Sequence, residues 1–276
     1  MTYSIQQQQE QQIAHHWSNT LNLMFGLPDS GSTLHYWLLV PLLLTLTSMF
    51  ITILAQTCAH WFWDEIELKP LYKNRPKSNS ILYYVLNHSM AALLTSFCIV
   101  YTRYYGSLYE DFDIWQNVCS FSKMFETCMY LVQVLLCVLF MMILYDLLVY
   151  LFHRTCHSHP TLYSLLHKQH HENNSPRGIL DAIYGDAWES TIIAFFSCGQ
   201  MMFFPFPISS VVVFLFVISF FVQWNHSGRK IVIPYIYNFE YHAAHHRYFK
   251  VNFSEHVMLW DYLFGTLRLN YERESY

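Results

Sequence analysis

Charge is what this sequence has least of. Only 12% of its 276 residues are Asp, Glu, Lys or Arg, about half the ~25% of an ordinary soluble domain. The net charge is −4 and no basic tail or stripe occurs, which removes nucleic acid as a partner. The seven cysteines, Cys58, Cys98, Cys119, Cys128, Cys137, Cys156 and Cys198, form no C-x-x-C pair. A disulfide framework and a zinc ribbon are therefore not expected, although Cys119 and Cys128 share one loop and could pair. There is no G-x-G-x-x-G for a nicotinamide or flavin, no C-x-x-C-H for haem and no H-E-x-x-H for a zinc hydrolase. No solenoid period and no interdomain linker interrupt the chain. The apolar runs are too long, and the first begins too late, for a cleaved signal peptide.

What is abundant is apolar and aromatic surface, 54% and 18% of the residues. Residues 1–33 are polar, with QQQQEQQ at 6–12, and read as a loosely attached end. Apolar runs follow from Leu34 to about Trp63, from Ile81 to about Tyr101 and from about Tyr130 to Phe152. Each is near the ~20 residues that cross a ~30 Å hydrocarbon core. A fourth, Ser190 to Trp224, is broken by FPFP at 204–207. It predicts a helical hairpin with arms of about 15 to 17 residues, ~25 Å each, which need not fully cross. The N-terminal 33 residues have no Lys or Arg, whereas the segments after the third run carry most of them. The positive-inside rule thus sets the N-terminus in the lumen and the late polar segments in the cytosol.

Those late segments hold the histidines. His153 and His157 are spaced i, i+4, on one face of a helix. His167, His170 and His171 are i, i+3, i+4, again expected on one face, and the spacing returns at His242, His245 and His246; His226 lies between. Nine imidazoles exceed the four ligands that zinc usually takes and suit two six-coordinate metals. Imidazole alone does not distinguish iron, zinc, copper or nickel. Asp146 and Tyr150 lie on the stripe of His153 and His157. Asp146 is expected to take a second ring N–H of a ligand, with Asp186, Glu189 and Asp261 ranked below it and Asp261 read as a cap or anchor. His15, His16, His35, His60, His88, His159 and His256 fall outside the pattern. A zinc-dependent membrane hydrolase would need a glutamate correctly spaced beside paired histidines, and a metal transporter would need histidines within the spans. Neither pattern is present.

The run from Asp146, D-LLV-Y-LF-H-R-TC-H-SH-P-T-L-Y-SLL-H-KQ-H-H, and the ending HAAHHRYFKVNF…WDYLFGT resemble the fatty acid hydroxylase/sterol desaturase superfamily over roughly residues 130 to 270. The short four-span layout looks most like its cholesterol 25-hydroxylase branch; C4-methylsterol oxidases, sterol desaturases and fatty acid hydroxylases are the alternatives. One departure is Ser254-Glu255-His256 after Asn252-Phe253, where the family usually has glycine. The resemblance implies an all-α integral membrane protein with about four transmembrane or hairpin segments and a cytosolic histidine-rich helical cap. Its parts would be a lumenal N-terminus (1–33), two N-terminal transmembrane helices with loops (34–125) and a histidine-cluster catalytic region (126–276). It implies two non-haem irons on the eight histidines of its pattern, to which His226 is added by its neighbourhood, together with O2, a sterol or other lipid substrate and hydroxylation of that lipid. Because the chain has no cofactor motif of its own, electrons would come from cytochrome b5 or a reductase at the endoplasmic reticulum membrane.

Overall fold

The computed structural model describes residues 33–64, 80–105, 108–109, 124–172, 179–234 and 236–268. The glutamine-rich end, His15, His16, Cys119 and the basic loop from Lys69 to Lys77 lie outside the described residues. The chain divides into two compact units, 1–43 and 44–276. Of the first, only helical backbone from Thr33 onward is described. The second contains the rest.

Helix α1 covers Thr33–Phe62, α2 Ser80–Tyr105 and α3 Met124–Ser158; α4 covers Ala187–Cys198, α5 Ile208–Asn225, α6 Phe239–Tyr248 and α7 Leu259–Leu263. The strands are only two residues long: β1 (Leu108–Tyr109) pairs in parallel with β2 (Phe206–Pro207), and β3 (Val232–Ile233) antiparallel with β4 (Tyr237–Asn238). Helices α1, α2, α3 and α5 are long and apolar enough to cross a membrane. The outer faces of these helices carry exposed Leu46, Phe50, Leu135, Leu136 and Val212, apolar surface that only lipid covers well. The protein is an all-α membrane protein.

The hairpin expected over 190–224 is asymmetric. Asp186 caps α4, its carboxylate accepting from Trp188 N at 2.8 Å, and the helix then runs for only 12 residues. The turn Gly199–Met202 and the prolines at 205 and 207 end it, because proline cannot donate to a continuing helix. Pro207 then caps the 18-residue α5. The arms are therefore ~18 and ~27 Å long, where two equal arms were expected. Helix α4 packs chiefly on α2, and α5 on α3. Their shared core includes Met141, Tyr145, Cys198, Met201 and Phe214. The FFSCGQMMFFPFP stretch is mostly this packing, with Phe203 exposed.

Helix α3 fixes where the site lies. Its 35 residues reach ~52 Å, well beyond a ~30 Å hydrocarbon core. The apolar run ends at Phe152, and the helix continues unbroken through His153 and His157.

Candidate metal centre

The nine histidines gather in two groups. His153, His157, His167, His171 and His245 form one, and His170, His226, His242 and His246 the other; within each, the potential ligand atoms lie within 4.8 Å of one another. The i, i+4 pair of α3 behaves as its spacing predicts, with rings 5.2 Å apart. The H-x-x-H-H segments do not. In each, the first and third histidines stay together and the middle one crosses over: His170 joins His242 and His246, while His245 joins His167 and His171. Adjacent residues on a helix point ~100° apart, so neighbouring histidines on a segment lodged between two sites serve different sites. The first segment is not a regular helix either. A π-helical turn covers Tyr163–His167 and a tight turn covers His170–Glu172; π turns recur at functional sites.

Five rings are oriented through Nδ1. His153 Nδ1 contacts Phe253 O at 2.8 Å, His245 Val251 O at 2.8 Å, His226 Val222 O at 3.0 Å and His170 Tyr184 O at 3.2 Å. His167 Nδ1 pairs with the Glu189 carboxylate, both groups being buried. A carbonyl or carboxylate at Nδ1 holds the proton there and leaves the Nε2 lone pair free. The carbonyls at 251 and 253 reach their rings because the chain turns sharply after α6, with Phe249 at φ 62° and Asn252 at φ 54°. Each such residue costs on the order of 1 kcal/mol. The Asn252 side chain offsets this by bonding Tyr241 O, Arg268 O and Arg268 N at 2.7–3.1 Å.

The carboxylates are placed differently from the order expected. Asp146 does not touch a clustered histidine: Oδ1 accepts from the backbone N–H groups of Glu255 and His256, at 2.9 and 2.8 Å. Asp261 does the same for Phe253 and Ser254, at 2.8 and 2.7 Å. Both thus hold the loop that offers Phe253 O to His153. Tyr150 also serves the frame, bonding Thr266 Oγ1 and Arg154 at 3.1 and 2.8 Å and stacking on Phe264. The carboxylate that does reach a ring is Glu189, ranked lower in the sequence. Gly185 leaves it room: an added Cβ would lie 3.1 Å from Glu189 Oε2. His256, set aside earlier, is buried 3.8 Å from Asp146. Asn225 fixes the same loop through Glu255 O at 2.8 Å.

The converging Nε2 atoms call for a cation. His171 Nε2 lies 2.8 Å from His167 Nε2 and 3.1 Å from those of His157 and His245. His242 Nε2 lies 3.1 Å from His226 Nε2 and 3.0 Å from His246 Nε2. With Nδ1 of His167, His245 and His226 already donating, their Nε2 atoms present lone pairs. His171 Nε2 has at most one proton for its three close contacts, so lone pairs are left facing one another and a shared positive ion relieves them. Protons are a poor substitute in so buried a site. Burial, and then charge from neighbouring rings, holds His167, His171, His242, His245 and His246 well below the usual histidine range and brings His226 to about 3. Near neutral pH the rings are therefore neutral donors, which is the form that binds metal.

A cavity of about 410 Å³ opens onto this centre, touching His153, His167, His170 and His242 and extending between α1, α2, α4 and α5. That is the size of a pocket for one drug-sized apolar ligand.

Residues 138–266 match the fatty acid hydroxylase family model. Over these 129 of its 276 residues the chain is similar to the fatty acid hydroxylase domain. All nine histidines fall inside this matched region, as do Asp146, Glu189 and Asp261, whereas α1 and α2 precede it and supply cavity wall. Cholesterol 25-hydroxylase of Rattus norvegicus is 29% identical over 144 residues, 49% of this chain and 48% of that protein. A Delta(7)-sterol 5(6)-desaturase of Aspergillus fumigatus is 25% identical over 236 residues, 82% of this chain and 61% of that protein. A methylsterol monooxygenase of the same fungus is 29% identical over 129 residues, 43% of this chain and 42% of that protein. The chain spans about two fifths to three fifths of the length of these relatives. No solved structure matches it. By name these relatives are a sterol hydroxylase, a sterol desaturase and a sterol monooxygenase, and the histidine clusters of the matched region fit iron.

Proposed function

We propose that the chain is a membrane-bound non-haem di-iron oxygenase that hydroxylates a sterol. The observation that carries this reading is the two convergent histidine groups at the mouth of a lipid-sized cavity. The zinc-dependent hydrolase alternative would need a glutamate correctly spaced beside paired histidines, and the sequence has no H-E-x-x-H. His153, His157, His167, His171 and His245 would hold one iron and His170, His226, His242 and His246 the other, with Glu189 orienting His167. Such a pair of ions supplies the activation of O2.

The protein's own part is to present a C–H bond and keep bulk water away. Val149, Phe152 and Ile193 line the cavity beside His153 and Glu189 and give the lipid an apolar route to the ions. Two electrons per turnover come from outside the chain, by our reading from cytochrome b5 or a reductase at the cytosolic face of the endoplasmic reticulum. The charge asymmetry of the sequence supports that orientation. The similarity to cholesterol 25-hydroxylases favours hydroxylation. Methyl oxidation or ring desaturation is the second reading, favoured by an equal 29% identity to the methylsterol monooxygenase.

The test is metal content together with product analysis. Purified chain is expected to hold two irons, and cells expressing it under ¹⁸O₂ to accumulate a labelled hydroxysterol that is missing with His170→Ala. Full turnover in that variant would refute the site.

A further inference from the structure

The cavity wall carries polar atoms that the metal centre does not use. Asn87 on α2 is 2% exposed and lines the cavity. Its Nδ2 donates to Ile183 O at 2.7 Å and to Gly185 O at 3.3 Å, which fixes the amide orientation and leaves Oδ1 as the free acceptor. Oδ1 is buried without a hydrogen-bond partner among the described residues. Gln223 on α5, also 2% exposed and on the cavity wall, leaves Oε1 in the same condition. An unsatisfied buried acceptor costs about 1–3 kcal/mol, so two among the residues that line one cavity point to a ligand that donates.

Both adjoin the four-histidine group. A Cβ on Gly185, whose carbonyl Asn87 holds, would be 3.7 Å from His170 Cβ, and Gln223 O accepts from His226 N at 3.2 Å. Among the described residues no Lys or Arg lines the cavity, whereas Glu189 and Glu255 do. A fatty acid carboxylate or a phosphate head group finds acceptors and negative charge on this wall. An alcohol finds partners. The far wall, with Leu44, Val212, Leu215 and Phe216, is apolar and suits a hydrocarbon skeleton.

We propose that the amide oxygens of Asn87 and Gln223 form an acceptor subsite that takes the hydroxyl of a neutral lipid beside the four-histidine group, so that the carbon oxidised lies within a few bonds of that hydroxyl. This rests on the oxygenase reading and narrows it. A hydroxyl held next to the ions presents its own neighbouring carbons, while attack on a distant side chain would need the molecule reversed.

The experiment is competition against tritiated cholesterol on the purified full-length protein in detergent, with cholesterol, its 3-methyl ether and oleate as competitors. The ether is expected to compete at least ~10-fold more weakly than the alcohol, since it cannot donate, and oleate more weakly still. Gln223→Met, which leaves only the Asn87 oxygen, is expected to narrow the gap between alcohol and ether while iron content stays at the wild-type value. Gln223→Glu, which keeps an acceptor oxygen, is expected to retain the preference. Equal affinities in the wild type, a preference undiminished in Gln223→Met, or oleate competing as well as cholesterol would each overturn the subsite. So would an absence of saturable sterol binding, or ¹⁸O appearing at the far end of the product from the hydroxyl. In every one of those cases, bound iron and ¹⁸O in any lipid would leave the oxygenase reading standing.

Discussion

His167 and Glu189, 22 residues apart in sequence, meet ring to carboxylate in the interior, Nδ1 against Oε1. The contact ties the irregular first histidine segment to the capped start of α4. It is also the one direct carboxylate contact to a clustered ring among the described residues.

Removing that carboxylate is expected to weaken metal binding without unfolding the helices. Partners at this distance from a metal typically contribute 10–100-fold in affinity. Glu189→Ala is expected to fall in that range and Glu189→Gln to lose less, since an amide oxygen still accepts from Nδ1. Iron retained against a graded chelator series measures both.

The crossed histidines make a sharper prediction. His245→Ala removes a ligand from the five-histidine group although it sits in the segment of His242 and His246, and His170→Ala does the reverse. His170→Ala leaves three histidines in its group, and is expected to bring iron from two per chain toward one. His245→Ala leaves four in its own group and is expected to retain more. Equal losses in the two variants would mean that the segments, rather than the groups, are the units.

Asp146 is expected to act on stability first. Asp146→Ala leaves the N–H groups of Glu255 and His256 without their acceptor, a loss of roughly 1–3 kcal/mol for each group buried. Thermal unfolding of the metal-free protein in detergent measures this, and Asp146→Asn, which keeps an oxygen, is expected to recover most of it.

Acid is expected to destabilise the metal-free protein in a defined window. The folded-state value for His226 is lowered to about 3 and those of His242, His245 and His246 lie well below the usual range. The unfolded chain therefore takes up protons below pH ~6.5 that the folded chain refuses. Above ~6.5 both states are neutral and no penalty exists. Stability then declines as pH falls from ~6.5 toward ~3, the interval bracketed by His226. Iron-loaded protein is expected to resist over the upper part of that window, because ions compete with protons for the same nitrogens. Denaturation midpoints across pH, with and without iron, check the sign.

The spans were legible because a stretch of 20 apolar residues has few uses outside a bilayer, and the nine histidines because their spacing repeats. The division of those histidines was not legible. Spacing assumes a regular helix, and the turns at Tyr163–His167 and His170–Glu172 arise from packing against α3 and α4 that no local pattern encodes. Glu189 was passed over because its partner lies 22 residues away, whereas Asp146 shares a helix stripe with His153. Capping by Asp186 was the usable signal, since a capped helix start fixes the direction of the next turn. His88 fell outside the histidine pattern and nothing in the sequence marked Asn87; only the tertiary arrangement reveals the cavity they border.

The crossing of His170 and His245 has a thermodynamic consequence. Each segment donates to both ion sites, so ordering a segment around the first ion also delivers a ligand to the second. Loading is then linked, and by reciprocity either ion raises the affinity for the other by the same factor. Iron titration is expected to be sigmoidal, with the singly loaded form scarce throughout. For the dioxygen-activating centre proposed above, a half-filled state that rarely exists is a state that rarely misfires.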